Sequence, residues 1–156
     1  MKSHLGALLI ILAAAPAWAD DWKLVWPTCG EIDIMEYVGF KPEVIHTNFH
    51  MKKYNHAIGT GKGGSTTLAK PWEDFHVYAI EWYPDRIDSL VDGKKYFTFK
   101  NEGSGAAAWP FDKDQYIILN TAIGGDWDAQ KGIDDSIFPQ RFYVDYVRVY
   151  QKVKRP

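Results

Sequence analysis

The chain has one cysteine, Cys29, in 156 residues, and that excludes an intramolecular disulfide framework. A catalytic thiol would need a histidine partner and an activating environment. No such pairing is evident, so Cys29 is expected to be a small buried hydrophobe. Charge of one sign is also missing. Eighteen Lys and Arg stand against twenty Asp and Glu, a net charge of −2, with no basic run to attract nucleic acid. No long helical period is present. The one uninterrupted apolar run, Leu5 to Ala15, is too short to cross a bilayer, which takes about 20 residues.

That run follows a short polar start with Lys2 and His4 and precedes Ala17-Trp18-Ala19, with small residues at the two positions that define a cleavage site. Residues 1–19 are therefore expected to be a signal peptide cut after Ala19. The mature part, 20–156, is then secreted or periplasmic, with no membrane attachment once the signal is gone.

What remains reads as all-β. Asp74 to Trp82, Arg86 to Val91 and Lys94 to Phe99 are β-rich runs broken at Tyr83-Pro84-Asp85 and at Asp92-Gly93. An Asp-Gly pair between such runs is a strong hairpin signal, because both central residues need positive φ. Tyr116 to Thr121 reads as a buried strand and Phe142 to Tyr150 as an alternating aromatic one. Gly59 to Thr66 superficially resembles a phosphate loop. It lacks the G-x-x-x-x-G-K-[ST] spacing and any strand-to-helix context, so Tyr54 to Lys70 reads as a mobile loop.

The chemistry concentrates in Glu31-Ile32-Asp33-Ile34-Met35-Glu36. Residues two apart on a strand share a face, so Glu31 and Asp33 point together. Glu36 lies an odd number of steps from Glu31, and a regular pleat would send it to the other side. One extra residue at Ile34-Met35, a β-bulge, would return it to the face of its partners. The two glutamate Cα atoms would then lie roughly 13 Å apart. Inward-leaning side chains can narrow such a gap toward the ~5–5.5 Å of retaining or the ~6.5–9.5 Å of inverting glycoside hydrolysis. On the residues alone, a solvated acidic face and a divalent-metal site stay open as alternatives.

Val44 to Met51 also alternates, with Val44, His46, Asn48 and His50 on one face and Ile45, Thr47, Phe49 and Met51 on the other. His50 is a candidate for hydrogen bonding a sugar, and so is Asn120 at the end of its apolar strand. Sugar faces carry C–H groups that pack on aromatic rings, which makes Trp26 and Trp127 cleft candidates. Trp72, Trp82 and Trp109 are assigned to packing.

The stretch Trp26 to Tyr37 resembles the catalytic strand of glycoside hydrolase family 16, in the bulged form of laminarinase-like endo-β-1,3-glucanases. Trp109-Pro110-Phe111-Asp112, Ile118 to Gly125 and Tyr143 to Tyr150 match the same family in the same order. The resemblance implies an antiparallel β-sandwich of jelly-roll, concanavalin-like type. It implies Glu31 as nucleophile, Glu36 as acid/base and Asp33 as helper, acting on a polysaccharide such as β-glucan with no cofactor in the chemistry. It further implies a structural calcium near Asp145. In that family a long stretch of sandwich precedes the acidic strand, whereas here only Asp20 to Val25 lie between signal and motif. The sandwich is thus expected to be incomplete on its N-terminal side. A monomer is expected. A non-catalytic carbohydrate-binding remnant, a fragment that does not fold alone, and a hydrolase of a galactan such as agar are the competing readings.

Overall fold

The computed structural model describes residues 25–153 and, ahead of them, the backbone of Ala7–Ala13. The first sheet has five antiparallel strands in the order β4 (Lys62–Thr67), β3 (Val44–His50), β2 (Glu31–Tyr37), β1 (Ala7–Ala13), β8 (Tyr116–Ala122). The second has three, β5 (Tyr78–Tyr83), β6 (Arg86–Val91) and β7 (Lys94–Lys100). The Asp92-Gly93 turn between β6 and β7 has the expected positive φ at both residues, 49° and 75°.

The sheets close over an apolar core. Ile32, Phe49 and Met51 from the first sheet side meet Ile87 and Phe99 of the second, with Trp109 and Phe111 joining from the loop before β8. Met35, Tyr37, Ile45 and Val91 form a second cluster. The alternation of β3 holds: Ile45, Thr47 and Phe49 are fully buried, while His46, Asn48 and His50 lie on the opposite face. The architecture is therefore an antiparallel β-sandwich.

Five expectations need correction. Tyr116 to Thr121, read as a buried strand, forms β8 at the sheet edge with Tyr116, Ile117 and Leu119 exposed. The stretch expected to be a mobile loop contains β4, which pairs along β3 from Val44↔Thr67 to Phe49↔Lys62. Its Gly and Lys are poor strand formers, but the position needs small residues. A Cβ on Gly64 would lie 2.4 Å from the Phe97 ring of the facing sheet. The stretch 142–150 has no strand structure. Its alternating pattern has no partner ladder among the described residues, and Tyr143, Val144, Tyr146 and Val147 stay exposed. Trp72 and Trp82, expected as packing residues, are exposed, and only Trp109 is buried. Cys29 is half-buried rather than buried.

The expected signal peptide lies outside the described residues except for Ala7–Ala13, whose backbone bridges β2 and β8.

Candidate active site

β2 is deformed as the odd acid spacing requires. Asp33 pairs with Asn48 and Glu36 with His46, so three steps on β2 match two on β3. The shift falls at Ile34-Met35 and is a one-residue bulge. Met35 is buried, and Ile34 packs partly against the core. The Thr47 hydroxyl donates to the Asp33 carbonyl over 2.7 Å where the ladder is interrupted. Thr47 also lies 2.9 Å from Ser89 Oγ; with its own proton committed, Ser89 is the donor and ties the bulge to the second sheet.

The strand is anchored at its start by Gly30, at φ +83°. A Cβ there would stand 2.7 Å from Pro110 and 2.9 Å from Phe111, so no other residue fits both the turn and the contact.

The register gives each acid a polar partner on β3: Glu31 opposite His50, Asp33 opposite Asn48, Glu36 opposite His46. Trp26 Nε1 donates to Glu31 Oε2. The Trp26 ring lies 5.1 Å from His56 and 6.2 Å from His50, so three flat side chains gather at the Glu31 end. At the Glu36 end Asn48 Nδ2 donates to Glu36 Oε2, and Trp127 meets the His46 ring edge-on at 5.3 Å.

Burial governs the protonation of this row. Asp33 is held well above the usual carboxylate range, first by desolvation, then by the charges of Glu36 and Glu31 and a hydrogen bond with Glu31. Neither Asp33 carboxyl oxygen finds a well-directed partner, so the buried carboxyl is left beside Glu31 with hydrogen-bonding capacity to spare. Glu36 is raised to about 7 by burial and by the charges of Glu31 and Asp128, against the lowering effect of the Asn48 amide. His50 is lowered to about 4, by burial and then by His56. His50 Nε2 lies 3.3 Å from Asp33 Oδ2, a distance that would suit an ion pair. Both groups are pushed toward their neutral forms, so the contact is between neutral partners.

Asn120 sits on the acid row by register. Leu9 pairs with Glu36 on one side and Asn120 on the other, which places Asn120 two strands from Glu36 on the same face. Asp145 is exposed in the strandless segment, and among the described residues no group of three or more His, Cys, Asp or Glu could hold a metal ion. Sequence reasoning missed His56, which joins Trp26 and His50, and Asp128, whose charge acts on Glu36. Nothing in their local pattern marks them, since a short turn brings each one in. A separate groove lined by Trp82, Tyr83, Asn101, Trp109 and Tyr150 contains none of the acids.

Bulged acids on a sandwich strand, flanked by aromatic rings and amides, define a glycosidase-like site. The family model "Glycosyl hydrolases family 16" matches residues 18–148, and the chain belongs to that family. It is 48% identical over 134 residues to a beta-glucanase of Rhodothermus marinus, an alignment covering 83% of this chain and 47% of that protein. Identity to a keratan-sulfate endo-1,4-beta-galactosidase of Sphingobacterium multivorum is 35%, over 81% of this chain and 29% of that one. The fold superposes on the crystal structure of the Rhodothermus marinus laminarinase with a TM-score of 0.78 and 42% identity, covering 88% of this chain and 57% of that one. The sandwich is therefore of the jelly-roll type of these enzymes, and the chain spans about half the length of the laminarinase and beta-glucanase it matches.

Proposed function

We propose that the protein is an exported endo-acting, retaining β-glucan hydrolase, with β-1,3 linkages as its main target. The observation that carries this reading is the bulge at Ile34-Met35, which returns Glu36 to the row of Glu31 and Asp33. Glu36, raised to about 7, still holds a proton near neutral pH and protonates the leaving glycosidic oxygen. Glu31 attacks the anomeric carbon as a carboxylate, with Trp26 Nε1–H and the Asp33 proton as its donors. The C–O bond breaks and a glycosyl ester forms on Glu31. Glu36, now the base, takes a proton from water, whose oxygen displaces Glu31 and retains configuration. Asp33 keeps its proton throughout. Trp26, His50, Asn120 and Trp127 hold the sugar rings on either side of the acids.

Export rests on the Leu5–Ala15 run and Ala17-Trp18-Ala19, and N-terminal sequencing of the processed protein tests it. Hydrolysis is tested by release of reducing ends from laminarin, lost in Glu31→Gln and in Glu36→Gln. A galactan panel is run beside it because of the galactosidase relative. The second reading, sugar binding without turnover, is favoured by the uncovered apolar side chains of 142–150. Binding to insoluble glucan with no released ends would select it.

A further inference from the structure

We propose that Asn48 is a positioning residue for Glu36: its side-chain amide fixes that carboxyl in the acid row, and Gly63 is the space that admits the amide. The proposal rests on the reading of Glu36 as acid/base but concerns a contact that exists without substrate. Asn48 sits on β3 directly opposite Asp33, and the bulge brings Glu36 next on the same face. Asn48 Nδ2 can thus reach Glu36 Oε2 on the diagonal.

Across its other edge Asn48 pairs with Gly63 of β4. A Cβ on Gly63 would lie 2.1 Å from Asn48 Oδ1 and 2.4 Å from the Thr47 carbonyl oxygen. Any side chain at 63 therefore displaces the amide that holds Glu36. The glycine-rich β4, unpromising as a strand, is explained as a spacer for the site.

A donor on a carboxylate favours the charged form. The titratable groups near Glu36 are Glu31 and Asp33 on β2, His46 opposite it on β3, Asp128 of the short α1 (Gly125–Asp128) and, from the core side, Tyr96 of β7. Glu31 and Asp128 oppose its ionisation, as burial does, and Asn48 is the neighbour that favours it. Asn48 thereby keeps the acid from holding its proton too tightly to serve as base in the second step.

The test is a titration of the full chain labelled with ¹³C at the glutamate carboxyls, with Glu36→Gln assigning the resonance. Asn48→Ala is expected to raise the Glu36 midpoint by about one pH unit. Asn48→Asp, nearly the same shape, is expected to raise it further, and it carries the test if the alanine variant does not fold. Gly63→Ala is expected to move the midpoint the same way. A midpoint unmoved in Asn48→Ala, or in Asn48→Asp where only that variant folds, overturns the proposal, because a purely packing role would leave the titration alone. Laminarin hydrolysis is read in parallel. Shifted midpoints without hydrolysis in the parent chain defeat the hydrolase reading and keep the Asn48 role, whereas hydrolysis with unmoved midpoints does the reverse.

Discussion

Glu36 and His50 face each other's neighbours across one strand pair, yet burial pushes their protons in opposite directions. An acid taken out of water holds its proton longer; an imidazole gives its proton up sooner. Folded Glu36 stays protonated to about 7, against 4.5 for an ordinary glutamate. Between those values the folded chain binds more protons than the unfolded one, so this group's contribution to stability is lost as pH rises. Folded His50 titrates near 4 against 6.5, so over that range the unfolded chain binds more protons and stability falls as pH falls. Glu36→Gln removes the first dependence. Its stability relative to the parent chain should therefore grow between pH 5 and pH 8, by up to about 3 kcal/mol, in urea melts at the two pH values. His50→Phe removes the second, and its relative gain should appear only below about pH 6. A flat difference in both series would mean that neither group is buried as the structure has it.

At the scale of elements, the bulge makes an unusual prediction about a deletion. Removing Met35 leaves Glu31, Asp33 and Glu36 at even spacing, so all three acids stay on one face and still oppose His50, Asn48 and His46. The cost falls on the core instead, where Met35 packs with Tyr37, Ile45 and Val91. Loss of that side chain should destabilise by about 2–5 kcal/mol while the Glu36 titration remains raised. At β4, Gly64→Ala drives a methyl into the Phe97 ring and should cost about 1–3 kcal/mol in the same melts. These elements also show what a sequence can tell. The odd spacing of the acids demanded a bulge, and the alternation of 44–51 assigned both faces of β3. Asp92-Gly93 could serve only as a tight turn. β4 was illegible because its residues answer to neighbours, Asn48 and Phe97, that are distant in sequence. The stretch 142–150 misled for the complementary reason: a pattern records which face a strand would bury, not whether a ladder exists for it to join.

For the whole molecule, the same lack of partners leaves many large apolar side chains exposed. Tyr116, Ile117 and Leu119 of β8 are exposed, as are Tyr143, Val144, Tyr146, Val147, Val149 and Tyr150. Exposed apolar surface of that extent binds apolar dyes and promotes association. β1 makes the balance sharper. Its backbone pairs with β2 from Leu8↔Tyr37 to Ala13↔Glu31 and with β8 from Ala7↔Ala122 to Ala13↔Tyr116. Removing residues 1–19, as signal cleavage would, leaves the acid strand and β8 each with an unpaired edge, and such edges recruit other chains. The chain 20–156 should therefore melt at lower urea than the full chain and bind more anilinonaphthalene sulfonate. It should also sediment as larger species as its concentration rises, where the full chain does so less. Equal melting and equal sedimentation of the two would show that β1 adds nothing to the sheet. The acid row would then have to be held by Gly30, the Thr47–Asp33 bond and β3 alone.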